Sequence, residues 1–116
     1  MDWTNIEERI VELDNIQDAS LQVYGRYDLD KSIIWMVEEL GEVVAAIRKG
    51  KTKEEISGEL GDLMAWIFCL GNIMNIKISD ALRETFFKEF DRQIKVYGKL
   101  KYASTEIFVQ TEEEHV

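Results

Sequence analysis

Two short segments carry paired carboxylates at helical spacing. Glu39-Leu40-Gly41-Glu42 and Glu59-Leu60-Gly61-Asp62 each set two acids three residues apart, which on a helix places both on one face. The likeness runs over nine residues, since Glu39 to Ile47 is written again as Glu59 to Ile67 with acid, Gly, Ala and Ile at matching places. Glu38 adds a fifth acid. Taken singly, each reads as a solvent-facing helix residue. Together they lack partners: the positions three and four residues after Glu38, Glu39 and Glu42 hold Gly41, Glu42, Val43, Ala45 and Ala46, and those after Glu59 and Asp62 hold Asp62, Leu63, Ala65 and Trp66. Their apolar flanks imply partial burial, and two like charges about 4 Å apart repel by about 4 kcal/mol at an effective dielectric of 20. A hard divalent cation relieves such repulsion. Mg²⁺, or Mn²⁺, takes carboxylate oxygens and leaves coordination positions for water and phosphate. A di-iron bundle would need Glu-x-x-His and structural zinc would need Cys and His, whereas the chain has one histidine, His115 near its end, and one cysteine, Cys69.

The residues between the two segments say how they meet. Gly50 suits a helix C-cap and Thr52-Lys53-Glu54-Glu55 fits a capping box, so one helix ends and another begins within a few residues. That is an αα-hairpin. Its antiparallel arms climb equally, so residues whose numbers share one total lie at one level. Glu42 and Glu59 share theirs with Glu39 and Asp62, and with Trp35 and Trp66. Three layers result: two of carboxylates, then one of tryptophans. The indole pair is either ordinary core or a wall on which a nucleobase stacks, a contact worth about 1 to 3 kcal/mol. Gly41 and Gly61 cost about 1 kcal/mol each inside a helix, which is explained either by close approach of a ligand or backbone or by easier helix packing.

The rest of the chain has to support this hairpin. Its 116 residues amount to one small domain, whose limited core favours oligomerisation. With 46% hydrophobic and 32% charged residues and no proline, the expected class is all-α: a four-helix, bundle-like fold around the acidic hairpin, completed by oligomerisation. The first helix is expected from Thr4, in the capping box Thr4-Asn5-Ile6-Glu7, to Gly25, and the second from about Asp30. The third, Thr52 to about Asn75, is apolar on nearly every side between Leu60 and Met74, so its own helices and a second subunit are expected to cover it. Cys69 falls in this run as a core residue. The fourth helix is expected to be capped by Ser79, to bury Phe86, Phe87, Phe90 and Ile94, and to stop at Gly98. Beyond it, Ile107-Phe108-Val109 reads as a short strand or docking segment and Glu112 to His115 as a solvated tail. A net charge of -9 excludes the basic footprint that polymeric nucleic acid requires. No run approaches the roughly 18 apolar residues of a membrane span, and Met1-Asp2-Trp3-Thr4 does not open a secretory signal, so a cytoplasmic protein is expected.

Glu38-Glu39-Leu40-Gly41-Glu42 followed by Glu59-Leu60-Gly61-Asp62 resembles the Glu-Glu-x-x-Glu and Glu-x-x-Asp pair of the MazG-like nucleotide pyrophosphohydrolases, in the all-α NTP pyrophosphatase superfamily. The resemblance covers about residues 30 to 90, including Ser79-Asp80-Ala81-Leu82, and implies a MazG-like domain over 1–98 with a C-terminal extension over 99–116. It implies that Glu39, Glu42, Glu59 and Asp62 bind Mg²⁺, and that Glu38 is a further ligand, a support behind the ligands or a base that orients water. The implied activity is Mg-dependent cleavage of a (deoxy)nucleoside triphosphate to the monophosphate and pyrophosphate by a homodimer or homotetramer. Related sequences often carry a Lys and an Asn on the following helix, where this chain has Thr85 and Glu89. Phosphate binding is then expected from Lys88 or Arg92, or from Arg26 and Lys31. Two alternatives stand beside this reading: phosphoribosyl-ATP hydrolysis, and a helical oligomer that binds metal or nucleotide without turnover, which Thr85 and Glu89 favour.

Overall fold

In the computed structural model, which describes residues 2–103, five helices follow one another: α1 (Trp3–Val11), α2 (Leu13–Tyr24), α3 (Leu29–Arg48), α4 (Lys53–Met74) and α5 (Ile78–Tyr97). There is no strand among the described residues. The expected first helix is therefore two. Glu12 keeps helical dihedrals (φ -61°, ψ -20°), but tight bonds from its N–H to the Arg9 carbonyl and from Asn15 N–H to its own carbonyl separate α1 from α2. Asp2, not Thr4, caps α1, its carboxylate accepting the Asn5 N–H at 3.1 Å. Thr4 already lies in the first turn, and Asp is at least as good a cap.

Local chemistry sets the other boundaries. Gly25 ends α2 at φ 69°, and Asp28 caps α3 by accepting the Lys31 N–H. At the hairpin turn Gly50 takes φ 68°, which lets Lys51 N–H reach back to the Ala46 carbonyl at 3.0 Å. The capping box at Thr52 and Glu55 forms in both directions. Ser79 is not the cap of α5. The helix starts at Ile78 after Lys77, while Ser79 is fully buried and its hydroxyl donates to Asp14 at 2.5 Å.

Buried polar groups fix the path of the chain between α4 and α5. The Gln17 amide donates to Asn72 Oδ1 (3.1 Å) and to the Ile76 carbonyl (2.8 Å), and its oxygen accepts Ile78 N–H (2.8 Å). Asn72 returns a bond to the Gln17 carbonyl. Gly71 sits beneath this clamp, where a Cβ would lie 2.9 Å from both Gln17 Nε2 and the Ile76 carbonyl oxygen.

These contacts define the layout. Gln17 meets Asn72 and Ser20 meets Cys69, so α2 runs antiparallel to α4. Trp3 packs on Phe87 and Phe90 and Glu7 pairs with Arg83, so α5 runs antiparallel to α1. Helices α4 and α5 thus lie end to end along the α1–α2 unit, and α5 leads away from the α3–α4 hairpin. The hairpin is the most extensive pairing in the fold. With α5 covered on one side only, by α1 and part of α2, Phe86, Phe87 and Ile94 stay partly exposed instead of forming the buried face expected of them. The core is correspondingly small, with Ile10, Val43, Ala46, Phe68 and Cys69 its buried apolar members.

Much apolar surface remains uncovered on the hairpin. Ile33, Val37, Leu40, Val44 and Ile47 on α3 are all exposed, as are Leu60, Met64 and Met74 on α4. The α3 residues are spaced 4, 3, 4 and 3, the alternation of a coiled-coil seam. No helix among the described residues is long and apolar enough to cross a membrane. Ile107-Phe108-Val109 and Glu112 to His115 lie outside the described residues.

Candidate active site

Pairing of α3 with α4 produces the layers that equal climb of the two arms requires. At the outer level the Trp35 and Trp66 rings lie 5.4 Å apart between centroids, tilted by 52°. One turn further in, Glu39 and Asp62 face each other across a cleft of about 260 Å³. At the next level Glu42 and Glu59 share the lining of a second cavity, of about 210 Å³. Glu39, Glu42 and Glu59 bring carboxylate oxygens within 4.8 Å of one another.

Glu39 is the electrostatic centre. Its side chain is half-buried, and Oε2 is out of contact with solvent and has no hydrogen-bond partner among the described residues. Burial, and then the charges of Glu42, Asp62, Glu59 and Glu38, push its carboxyl above the usual range. A buried acceptor without a donor and three acids without counter-ions are both relieved by one hard cation. The donor set fits that role, being oxygen-only and convergent from two rigid helices. Glu38 is exposed, one residue around the helix, and lines neither cavity.

An aromatic wall stands beside the acids. Tyr24, Tyr27, Ala65, Trp66 and Cys69 line the cleft with Glu39 and Asp62. Tyr27 closes on both indoles, at 5.5 Å from Trp66 and edge-on at 6.2 Å from Trp35. Trp66 borders the cleft directly, and Trp35, 38% exposed, backs it. Cys69 is buried, as expected, against the Ser20 hydroxyl at 3.7 Å. Among the described residues nothing lies within 4 Å of where a Cβ would sit on Gly41 or Gly61, so packing among those residues does not explain them.

The cationic residues expected at the site are dispersed. Lys31 is exposed four residues before Trp35, on the same face of α3. Lys88 and Arg92 belong to α5, which packs on α1 and α2, and neither lines the cleft. Arg92 is committed to Glu89 through two short bonds (2.6 and 2.8 Å), and these together with Gln93 hold the Glu89 carboxyl down at about 2. Thr85 bonds the Ala81 carbonyl of its own helix. Arg26 is tied through Nε to the Asn72 carbonyl at 3.1 Å. Sequence reasoning missed Tyr24, Tyr27, Lys49 and Lys51. The first two flank Gly25, and that loop-forming glycine was the available sign that they fold back over the hairpin. The lysines line the second cavity with Glu42, Glu55 and Glu59.

The MazG nucleotide pyrophosphohydrolase domain matches residues 29–97, the span from the start of α3 to the end of α5. No curated protein and no solved structure matches the chain.

Proposed function

The chain belongs to the MazG nucleotide pyrophosphohydrolase family, and we propose that it hydrolyses a (deoxy)nucleoside triphosphate to the monophosphate and pyrophosphate with Mg²⁺ as cofactor. The observation that carries this reading is the convergence of Glu39, Glu42 and Glu59 around a buried, unpartnered carboxylate oxygen beside an aromatic cleft. Glu39, Glu42 and Glu59 hold the metal, with Asp62 contributing from the facing wall. The cation, when bound, neutralises phosphate charge and acidifies the attacking water. Trp66, backed by Trp35 and Tyr27, receives the base by stacking. Glu38, exposed, outside both cavities and without an ion pair among the described residues, is the acid not committed to metal; in this reading it accepts the proton of that water from the rim, through a second water, rather than by direct contact. Lys31, one turn before Trp35, meets the anionic substrate at the cleft mouth, and a cytoplasmic setting suits such a substrate.

A second copy of the chain belongs to this reading, as homodimer or homotetramer. The α3 seam of Ile33, Val37, Leu40, Val44 and Ile47, together with Leu60 and Met64, has the spacing and exposure of one half of a helical bundle. Gly41 and Gly61 lie among these residues and would let a second backbone approach. Lys88 and Arg92 reach a cleft, in this reading, only through a neighbouring copy.

The test is incubation of the purified protein with a nucleotide panel and Mg²⁺. Monophosphate and pyrophosphate are expected in equal amounts, with loss of turnover in Glu59→Gln and in EDTA. Release of orthophosphate, or undiminished turnover in the variant, would refute the reading. The commitment of Arg92 to Glu89 favours one alternative, metal and nucleotide binding without turnover. That alternative gives a nucleotide-dependent rise in Tm with no pyrophosphate release.

A further inference from the structure

We propose that Lys49 and Lys51, at the turn of the α3–α4 hairpin, bind the two terminal phosphates of the substrate and the pyrophosphate that leaves. This inference rests on reading the site as a nucleoside triphosphate pyrophosphohydrolase, and it assigns that reaction a direction along the hairpin.

The cavity at the turn is a continuation of the carboxylate cluster. Glu42 and Glu59 belong to both, Ala45 and Ala46 leave room as small lining residues, and Lys49 and Lys51 close the far end. The turn itself brings the lysines together, because the positive φ of Gly50 between them reverses the chain. Charge in this cavity is then distributed unevenly. Glu55 is engaged by the backbone N–H and hydroxyl of Thr52, at 3.2 and 3.0 Å. Glu42 and Glu59 face Glu39. Lys51 is near enough to Glu55 to help, after the Thr52 bonds, to hold that carboxyl below its usual range, but no hydrogen bond or ion pair within 4 Å engages either lysine ammonium among the described residues. With a divalent cation offsetting most of the charge of Glu39, Glu42 and Glu59, two ammonium groups would stand beside an open space of about 210 Å³. That is a site for a compact polyanion.

The order of layers supplies the polarity. Aromatic rings, then Glu39 and Asp62, then Glu42 and Glu59, then Lys49 and Lys51 follow one another along the hairpin axis. Seven residues separate Trp35 from Glu42, about 10 Å of helix. A nucleotide with its base at the rings has its α-phosphate at the acids and its β- and γ-phosphates toward the lysines. In the reaction the water oxygen bonds to the α-phosphorus and the bond from that phosphorus to the α–β bridging oxygen breaks. Its electron pair departs with pyrophosphate, and the water proton passes to a carboxylate and then to solvent. The new negative charge on the leaving group appears where the lysines stand.

The experiment titrates inorganic pyrophosphate, in Mg²⁺ buffer, into the full-length chain by calorimetry. It compares the wild type with Lys49→Gln/Lys51→Gln and with Lys49→Arg/Lys51→Arg. The expected result is pyrophosphate affinity lowered by about tenfold or more in the Gln pair, the loss typical of a charge-assisted hydrogen bond, and largely kept in the Arg pair. Affinity for nucleoside monophosphates stays unchanged, and so does the melting curve, since both residues are exposed. Equal pyrophosphate affinity in the wild type and the Gln pair, an equal loss for monophosphates, or no pyrophosphate binding by the wild type would overturn the inference. Lysine-dependent pyrophosphate binding without triphosphate turnover would leave the anion site standing and reject the hydrolase reading instead.

Discussion

Neutralising Glu39 should make the metal-free protein more stable. Its carboxyl is pushed up from the ordinary 4.5, first by burial and then by Glu42, Asp62, Glu59 and Glu38. A group whose folded pKa is raised gives its full stability below the unfolded pKa and loses it as pH rises through the folded value. At pH 7 the metal-free fold therefore carries a penalty that Glu39→Gln removes. Carboxylate oxygens within 4.8 Å of one another repel, at that outer separation, by about 0.9 kcal/mol per pair at the dielectric of water and about 3.5 kcal/mol at a dielectric of 20. Glu42 is exposed and Glu59 half-buried, which puts the value near the lower end. Glu39 takes part in two such pairs, so its neutralisation is worth about 2 kcal/mol, or about 10 °C in Tm for a domain of this size. Thermal melts in EDTA from pH 5 to pH 8 read the effect directly. Glu39→Gln should melt above the wild type at pH 7, with a gap that narrows toward pH 5, and should lose the Mg²⁺-induced rise expected of the wild type. Exposed Glu38→Gln, the control, should stay within about 2 °C of the wild type. A Glu39→Gln melt at or below that of the wild type in EDTA, or an undiminished response to Mg²⁺, would refute the electrostatic argument.

Four further outcomes follow from particular contacts. Gly71→Ala drives a Cβ into Gln17 Nε2, the Ile76 carbonyl and Ile78 Cδ1 and should cost about 1 to 3 kcal/mol, read from urea melts. Gly61→Ala meets nothing among the described residues and should gain up to about 1 kcal/mol in an isolated chain, so destabilisation together with a lower oligomeric mass by light scattering would locate a second subunit there. Gln17→Leu leaves Ile78 N–H, Asn72 Oδ1 and the Ile76 carbonyl without the Gln17 amide and should cost about 2 to 3 kcal/mol. Trp66→Leu should weaken nucleotide binding by about tenfold, read as fluorescence or calorimetric affinity, without altering Mg²⁺ binding.

The hairpin was legible in the sequence because each of its determinants is local. Gly50, the Thr52 capping box and the 3.6-residue repeat fix where α3 and α4 turn, and equal climb of the two arms then pairs Trp35 with Trp66 and Glu39 with Asp62. What eluded the sequence depends on contacts far apart in the chain. Ser79 resembles a cap, but its hydroxyl is drawn to Asp14, sixty-five residues away. Glu12 carries no Gly or Pro to announce a break, so α1 and α2 read as one helix. The apolar face of α5 was visible in the sequence, yet where α5 lies depends on the Gln17–Asn72 clamp that directs it along α1. That placement separates Lys88 and Arg92 from the cleft of their own chain. Tyr27 and the turn lysines escaped notice because no motif marks them, and only the folded hairpin assembles them along its groove.

The central claim is attack by water at the α-phosphorus over the Glu39, Glu42 and Glu59 cluster, and turnover in ¹⁸O-labelled water tests it most directly. With Mg²⁺ and a triphosphate that the protein accepts, mass spectrometry should find one labelled oxygen in each nucleoside monophosphate and none in pyrophosphate. Label in pyrophosphate, or release of labelled orthophosphate with nucleoside diphosphate, would contradict it.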